Sequence, residues 1–137
     1  MVLCRYRPVF VEISLDEYAQ EMSLDDMVSR ISKFTIERDW DQFHSVRNLI
    51  LALVGEVGEL AEIMQWVPDE KTDEFFDDAK NRLRFEEELA DVLIYLLRLA
   101  STRNIDLEGA LSRKLKNNEE KYPVAKSRGS AKKYTEL

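Results

Sequence analysis

Two pairs of acidic residues, each set in an apolar helical pattern, constrain this chain more than any other feature. The first pair is Glu56 and Glu59, and the second is Glu88 and Asp91. Residues three positions apart on a helix project from the same face, about one turn apart. Like charges at this spacing repel each other, and placing them among apolar neighbours is unfavourable without a counter-charge. A divalent cation supplies such a counter-charge.

Hydrophobic residues recur at three- and four-residue steps along most of the chain, which is typical of amphipathic helices. The predicted helices span about 23–38, 46–65, 79–103 (or from 75) and 107–120. Ser23 is the expected N-cap of the first, while Pro68 and Pro123 follow the ends of the second and fourth. With 137 residues and no convincing strand pair, the chain is predicted to be an all-α bundle of four to five helices.

The apolar pattern also bears on packing. The stretch Leu89–Ala100 is apolar nearly all round, so its helix is predicted to lie centrally or against a neighbouring subunit. Gly55 and Gly58 each weaken a helix by about 1 kcal/mol relative to Ala. Two glycines in one turn suggest that a helix or a ligand approaches them closely.

Composition excludes several classes of protein. An apolar fraction of 45% with 34% charged residues is typical of a folded globular domain. No stretch approaches the roughly 18 apolar residues that a membrane span needs, and no signal peptide is evident. One cysteine and one histidine exclude an internal disulfide and a zinc site of the usual ligands. A cytoplasmic location is the default expectation.

The net charge of −7 conceals an uneven distribution. Between Arg113 and Lys133 there are eight basic residues and two acidic ones, so the rest of the chain is strongly acidic. An acidic protein is a poor binder of nucleic-acid polymers, because that affinity depends on neutralising many phosphates. The basic segment suits a small polyanion held together with a metal, although a solvated charged terminus explains it equally well.

The ligand type indicates which metal would bind. Carboxylate oxygens are hard ligands that select Mg²⁺, Mn²⁺ or Ca²⁺ over zinc or copper. A di-iron bundle requires Glu-x-x-His pairs, whereas the single histidine, His44, lies outside both acidic motifs. Either acidic pair alone is more often a solvated helix face. Two pairs on adjacent predicted helices, each in apolar sequence, favour a metal site.

Four segments of the chain resemble one family. They are R-D-W-D-Q-F-H at 38–44, N-L-I-L-A-L-V-G-E-V-G-E-L-A-E at 48–62, E-E-L-A-D-V-L-I-Y-L at 87–96 and K-Y-P-V at 121–124. Together they resemble the dCTP pyrophosphatases of the all-α, MazG-like superfamily, from about Leu24 to the C-terminus. The pattern E-x-x-E with E-x-x-D is shared by the superfamily, whereas D-W-x-Q-F-H and K-Y-P-V are typical of this branch.

The resemblance implies a helical catalytic domain at 23–125, with an extension of unassigned role at 1–22 and a basic tail at 126–137. It implies a homo-oligomer, usually a tetramer. It also implies hydrolysis of dCTP, or of a related or modified pyrimidine deoxynucleotide, to the monophosphate and pyrophosphate. Mg²⁺ is the implied cofactor, with Mn²⁺ as a possible substitute. Ile31 stands where some members carry a pocket histidine, which leaves the preferred base open.

The same resemblance assigns site residues. The implied metal ligands are Glu56, Glu59, Glu88 and Asp91, of which Glu56 and Glu59 are also candidate catalytic residues. The implied substrate-binding residues are Trp40, Asp41, Gln42, Phe43, His44, Trp66, Tyr95, Lys114 and Asn118. We expect His44 to contact the base or a phosphate rather than to abstract a proton.

The positions of two aromatic residues agree with this activity. Tyr95 lies seven positions after Glu88, and Trp66 lies seven positions after Glu59. Each is therefore expected about two helical turns along the same face. Such aromatics could stack on a pyrimidine while metal ions hold the phosphates, although core or subunit packing explains them equally well.

For the chemistry, we predict that Glu56 or Glu59 orients or deprotonates the attacking water. Basic residues of the C-terminal segment would offset the charge on the leaving pyrophosphate: Lys114, Lys121 and Arg128. Three alternatives stay open. They are hydrolysis of dUTP or of a broad range of nucleotides, a helical interaction module without turnover, and a metal-dependent oligomerisation domain.

Overall fold

The computed structural model describes residues 23–136, which fold into helices joined by short turns. The α-helices of this part of the chain are α1 (Leu24–Ile36), α2 (Val46–Met64), α3 (Thr72–Asp77), α4 (Ala79–Ser101), α5 (Leu107–Lys121) and α6 (Val124–Ser127). Short 3₁₀ turns span Asp41–Phe43, Asp69–Lys71 and Tyr134–Glu136. No strand occurs among the described residues, so the predicted all-α class is confirmed.

Side-chain caps explain where the first two helices begin. The Ser23 hydroxyl accepts a hydrogen bond from the N–H of Asp26, and the Asp26 carboxylate accepts one from the N–H of Ser23. This reciprocal arrangement is a capping box, and it confirms the predicted N-cap. Ser45 begins α2 in a related way, since its hydroxyl accepts from the N–H of Asn48 at 3.2 Å.

The start of the third helix at Ala79, one of the two starts predicted from the sequence, is confirmed for α4, and a short separate helix, α3, precedes it. Asp78 separates them, because its backbone is extended (φ −77°, ψ 117°). Its carboxylate accepts hydrogen bonds from the N–H groups of Lys80 and Asn81, both at 2.9 Å. An aspartate with these bonds begins a new helix. The second acidic pair therefore lies in the middle of α4, well away from either end.

Helices α1 to α4 belong to one compact unit, which ends at Ile105. α4 packs against α1, α2 and α3, in agreement with its predicted central position. Leu49 of α2 and Leu97 and Ala100 of α4 are almost fully buried. Other large apolar side chains of α2 and α4 stay at least 40% exposed: Ile50, Leu51, Val54, Val57, Leu83, Leu89, Leu93, Ile94 and Leu96.

Gly55 and Gly58 lie on an open part of α2. A β-carbon at either position would have no described neighbouring atom within 4 Å. No described helix of this chain therefore approaches the two glycines closely, and the approach of a ligand stays a prediction. The packing of α2 against α4 does not need the space that the two missing side chains leave.

A second compact unit begins at Asp106. The Asp106 carboxylate caps α5 by accepting from the N–H of Gly109 at 2.8 Å. Tyr122 and Tyr134 meet edge to face with 6.0 Å between ring centroids, and the Lys121 ammonium lies 5.0 Å from the Tyr134 ring centre. These contacts tie the end of the chain to α5. The boundary at 105/106 falls inside the predicted 23–125 domain, and the three-part division stays a prediction.

The predicted extension at 1–22, for which no role was assigned, lies outside the described residues. Across residues 23–136, no helix combines the length and the apolar content that crossing a bilayer requires.

Candidate metal and nucleotide site

Carboxylates from α2 and α4 converge on one point. Glu56, Glu59 and Glu88 each have one oxygen within 4.8 Å of the other two. The three-residue spacing puts Glu56 and Glu59 on one side of α2, and the packing of α2 against α4 brings Glu88 to them. These oxygens are near enough to share a divalent cation, whose bonds to oxygen are about 2.0–2.6 Å long.

Asp91 stands next to these three residues. It follows Glu88 by about one turn of α4, and it lines the pocket described below. Its oxygens are not among the three that converge. We call the four residues the carboxylate cluster: Glu56, Glu59, Glu88 and Asp91. The structure thus brings all four predicted ligands into one neighbourhood, with Asp91 at its pocket side.

The electrostatics of the carboxylate cluster reflect lost solvation and mutual repulsion. Lost solvation is the largest cause that raises the pKa of Glu56, followed by the charges of Asp91, Glu59 and Glu88. Lost solvation also comes first for Glu88, whose pKa is raised further by its acidic neighbours and lowered slightly by Arg84. Because both shifts disfavour the ionised carboxylates, a cation that binds between them would be stabilised by relieving the repulsion.

A pocket of about 570 Å³ opens between α1 and α4. Its volume lies within the range of about 300–1,000 Å³ that is usual for small-molecule sites. Most of its wall is apolar, including Ile31 of α1 and Leu97 of α4. The polar and aromatic side chains that line it are Arg30, Phe34, Thr35, Trp40, His44, Asp91, Tyr95 and Arg98. A mostly apolar wall with a few polar groups is the usual form of a ligand pocket.

Tyr95 connects the pocket with the carboxylate cluster. Burial raises the pKa of its hydroxyl, and the charges of Glu56 and Asp91 raise it further. The hydroxyl therefore stays protonated at neutral pH and can donate a hydrogen bond. The position of Tyr95 beside the cluster agrees with the predicted spacing from Glu88, while its contact with a base stays a prediction.

The segment between α1 and α2 forms the rim of this pocket. Asp39 has a left-handed backbone (φ 53°), which turns the chain so that the Trp40 N–H donates to the Thr35 carbonyl at 3.0 Å. The Trp40 ring meets Phe34 edge to face, with 5.6 Å between centroids. The predicted substrate loop is therefore an ordered 3₁₀ turn in contact with α1.

Within the predicted substrate loop, only Trp40 and His44 line the pocket. The Gln42 amide donates to the carbonyl and the carboxylate of Asp39, at 2.9 and 2.8 Å. The Phe43 carbonyl accepts from the Asn48 amide at 2.9 Å, and the Phe43 ring is exposed. Gln42 and Phe43 thus hold the turn in shape, and their contacts with substrate stay predictions.

A buried arginine ties the turn to α4. Arg98 is 9% exposed, and its Nε–H donates to Nδ1 of His44 at 3.2 Å. A terminal nitrogen of the same guanidinium pairs with the Asp41 carboxylate. Burial first, and then the charge of Arg98, lower the pKa of His44, while Asp41 acts in the opposite direction. We call these three residues the arginine anchor: Asp41, His44 and Arg98.

Trp66 does not lie where the sequence analysis put it. α2 ends at Met64, so Trp66 follows the helix in a turn, and its side chain is 85% exposed. A two-turn relation to Glu59 requires a helix that continues through Trp66, and the chain leaves the helix shortly before Pro68. The expected position is therefore wrong for the described chain, and Trp66 does not line the pocket.

Two further predicted residues lie on α5, in the second compact unit. Lys114 is exposed, and Asn118 is half-buried with its backbone carbonyl accepting from the N–H of Tyr122. The roles that the sequence analysis gave to them, and to Lys121 and Arg128, stay predictions.

Two residues that line the pocket, Arg98 and Arg30, were not predicted as site residues. One signal for Arg98 was available, because it is the only charged residue after Asp91 in the apolar stretch that ends at Ala100. A lone charge in such a stretch needs a partner when it is buried. Its partners were not predictable, since they lie 54 and 57 residues away along the chain.

This all-α unit, with carboxylates gathered beside an apolar pocket, defines a helical protein equipped to hold a divalent cation next to an organic ligand. The chain belongs to the MazG-like family, whose model matches residues 52–137. The match includes all four residues of the carboxylate cluster and Tyr95, and it confirms the resemblance on which the site residues were assigned.

Several proteins are similar to this chain over most of its length. The dCTP pyrophosphatase 1 of Bos taurus is 49% identical over 120 residues, which are 88% of this chain and 71% of the relative. The dCTP pyrophosphatase 1 of Homo sapiens is 46% identical over the same shares of each chain. The crystal structure of a pyrophosphatase from Archaeoglobus fulgidus is 39% identical, with a TM-score of 0.65, and covers 73% of this chain and 92% of that one.

Proposed function

We propose that this chain is an enzyme that hydrolyses dCTP to dCMP and pyrophosphate. The observation that carries the proposal is the convergence of Glu56, Glu59 and Glu88 next to a pocket that Tyr95 and Trp40 line. A nucleoside triphosphate needs its phosphate charge neutralised and its base held against apolar and aromatic groups. The carboxylate cluster and the pocket offer these two functions side by side. Similar proteins named dCTP pyrophosphatase 1 support this choice of substrate.

The proposed cofactor is Mg²⁺, with Mn²⁺ as a substitute. The donor set supports this, because every group in the carboxylate cluster offers hard carboxylate oxygens. Glu56, Glu59, Glu88 and Asp91 would hold the ion. When bound, a divalent cation neutralises phosphate oxygens and lowers the pKa of the attacking water.

Glu56 or Glu59 is the proposed group that orients the attacking water and accepts its proton. Both carboxylates belong to the converging group, so either could accept a proton from a water held within hydrogen-bond reach. The water oxygen forms a bond to the α-phosphorus, and the bond from that phosphorus to the bridging oxygen breaks. Both electrons of the broken bond leave with pyrophosphate.

The remaining predicted residues have proposed roles in binding. Tyr95 and Trp40 would border the base, and the arginine anchor would hold the rim of the pocket. Lys114, Lys121 and Arg128 would offset the charge of the leaving pyrophosphate, and Asn118 would add a polar contact. Gln42 and Phe43 would act by keeping the turn in shape, and Trp66 would contact substrate only through a neighbouring copy.

We further propose a homo-oligomer, a tetramer, that acts in the cytoplasm. Nine large apolar side chains on α2 and α4 stay at least 40% exposed, and exposed apolar surface of this kind is typical of subunit interfaces. The single cysteine of the chain agrees with a reducing compartment.

A nucleotide panel tests the proposed function. The full chain is incubated with each common dNTP and NTP in Mg²⁺, and both pyrophosphate and monophosphate are measured. We expect equal amounts of the two products, with the highest kcat/KM for dCTP and no turnover in EDTA. A chain that hydrolyses none of the nucleotides would overturn the proposal. Equal kcat/KM for dUTP and dCTP would overturn the choice of base alone.

A further inference from the structure

The arginine anchor fixes which nitrogen of His44 carries a proton. All nitrogens of a guanidinium are donors, so the Nε–H of Arg98 can reach Nδ1 of His44 only if Nδ1 is an acceptor. A neutral imidazole with an unprotonated Nδ1 carries its proton on Nε2. Because Nδ1 is occupied, Nε2 is the ring nitrogen left for a ligand in the pocket that His44 lines.

The guanidinium is itself held firmly in place. Arg98 is more than nine-tenths buried on α4, and a second nitrogen of its planar group pairs with the Asp41 carboxylate. The two contacts use different nitrogens of one rigid planar group, so the position of Asp41 constrains the direction of the Nε–H. The carbonyl of Phe43 is fixed in turn by the Asn48 amide. The turn therefore cannot shift His44 without breaking one of these bonds.

We propose that Arg98 is a positioning residue that holds His44 as the neutral Nε2–H tautomer, so that His44 donates a hydrogen bond from Nε2 to an oxygen of the bound nucleotide. Arg98 acts through His44 and does not itself need to contact the reacting atoms. The inference rests on the proposed function for the identity of the ligand, but the tautomer follows from the geometry of the unliganded chain.

Several charged or titratable groups lie next to the His44 ring or share its pocket. Asp41 belongs to its own turn, and the groups contributed to the same pocket by the packed helices are Arg30 from α1 and Asp91, Tyr95 and Arg98 from α4. Burial and the Arg98 charge lower the pKa of His44, while Asp41 raises it. A neutral imidazole at pH 7 agrees with the proposed donor.

The sequence makes this proposal directly measurable, because His44 is the only histidine in the chain. Labelling the full-length protein with ¹⁵N-histidine gives the two nitrogen signals of one ring. At pH 7.5, without nucleotide, we expect Nε2 to carry the proton and Nδ1 to be unprotonated. A proton on Nδ1, or a doubly protonated ring, would overturn the proposal whether or not the chain hydrolyses dCTP.

Arg98→Met tests the role of the arginine, since it keeps an unbranched apolar stem and removes both the donor and the charge. We expect a mixture of the two His44 tautomers, a higher His44 pKa and a KM for dCTP raised by about tenfold, with kcat within about twofold. Arg103→Met is the matched control, because this exposed arginine lies just beyond α4, and it should change neither the spectrum nor the KM. A folded Arg98→Met protein with an unchanged tautomer would contradict the proposal.

Asp41→Asn keeps the test decisive if Arg98→Met fails to fold. Asp41 is half-exposed, so its neutral analogue should be tolerated. We expect the Nε2–H tautomer to persist and the His44 pKa to fall, which is the opposite direction to Arg98→Met. A shift of the ring to the Nδ1–H tautomer in folded Asp41→Asn, with Arg98 still present, would show that Arg98 does not hold the ring. If dCTP hydrolysis is absent altogether, these spectra still decide the proposal, so its failure and that of the proposed function are distinguishable.

Discussion

The carboxylate cluster and the arginine anchor lie at neighbouring parts of one unit, and their charges are arranged in opposite ways. The cluster gathers four acidic groups, and the pKa values of Glu56 and Glu88 are raised by lost solvation and by repulsion. The arginine anchor combines one cation, one anion and one imidazole, each bonded to another member. The carboxylate cluster therefore holds like charges that repel one another, whereas the arginine anchor holds groups that are paired with one another.

This contrast shows that the carboxylate cluster needs a bound ligand, whereas the arginine anchor does not. A cluster of like charges on two packed helices is unfavourable until a cation joins it, so its folding contribution and its binding function oppose each other. The arginine anchor is complete within the chain, so it stabilises the turn and shapes the pocket before any ligand arrives. Substitutions in the carboxylate cluster, in the arginine anchor or at Tyr95 between them test this difference.

The largest effect is expected for Asp91→Ala, which removes the member of the cluster that also lines the pocket. Metal catalysis contributes several kcal/mol to transition-state stabilisation, and each 1.4 kcal/mol changes the rate tenfold. We therefore expect kcat/KM for dCTP in Mg²⁺ to fall by at least about 1,000-fold, measured by pyrophosphate release. The helical circular dichroism spectrum should be unchanged.

Glu86→Ala is the matched control for this substitution. Glu86 is an exposed acidic residue of the same helix, and it is not one of the converging carboxylates. Its removal should leave kcat/KM within about twofold, as is usual for surface positions away from special features. Normal Mg²⁺-dependent activity in Asp91→Ala would show that the site assignment is wrong.

The second prediction concerns the boundary between the two regions, where Tyr95 lies. Stacking of a base on an aromatic ring contributes about 1–3 kcal/mol when it is tested by alanine substitution. Tyr95→Ala should therefore raise the KM for dCTP by about tenfold or more, while Tyr95→Phe should retain most of the affinity. If Tyr95→Ala lowers kcat and leaves the KM for dCTP unchanged, the Tyr95 ring affects the chemistry at the carboxylate cluster and does not bind the base.

These two regions also differ in how far the sequence predicts them. The carboxylate cluster follows from local rules, because residues three apart share a helix face and the helices themselves are marked by apolar periodicity. Tyr95 extends the same rule by two turns and lies where it predicts. The rule does not apply to Trp66, because α2 ends at Met64 and the helix face that carries Glu59 does not extend to position 66.

The arginine anchor depends on contacts that no local rule contains. Arg98 meets Asp41 and His44 across more than 50 residues of sequence, and the approach depends on the left-handed turn at Asp39. Asparagine and aspartate tolerate this backbone better than most residues, but the sequence does not indicate that the turn will form here. The start of the third helix stayed open between Phe75 and Ala79 for a related reason, because Asp78 can be a helix residue or a cap and only its extended backbone decides.

The third prediction separates folding from binding within the cluster. A raised carboxyl pKa means that the folded state holds the proton more tightly than the unfolded state, so stability falls as the pH rises through that pKa. Glu56→Gln removes one of the repelling charges, and we expect its melting temperature in EDTA to exceed that of the original chain. The stabilisation that Mg²⁺ produces should become smaller.

Glu62→Gln, an exposed change on the same helix, should alter neither value. A lower melting temperature in EDTA for Glu56→Gln would contradict the repulsion described above.

The smallest effect is expected for the arginine anchor, in the pH dependence of stability. The pKa of His44 is lowered by burial first and by Arg98 second, so the unfolded chain takes up the proton at a higher pH than the folded chain. Stability is therefore fully present above the ordinary histidine pKa of about 6.5 and is lost as the pH falls through the folded value. The slope cannot exceed about 1.4 kcal/mol per pH unit for one proton.

His44→Gln tests this slope, because the glutamine oxygen can still accept from Arg98 but does not titrate. Urea unfolding of both proteins from pH 7.5 downwards should give parallel curves above about pH 6.5 and a steeper loss for the original chain below it. The carboxylates whose pKa values are shifted, Glu56, Glu88 and Asp26, are common to both proteins, so their contributions cancel in the difference. A difference that grows in the opposite direction, with the histidine protein gaining stability in acid, would mean that Asp41 rather than burial and Arg98 controls the ring.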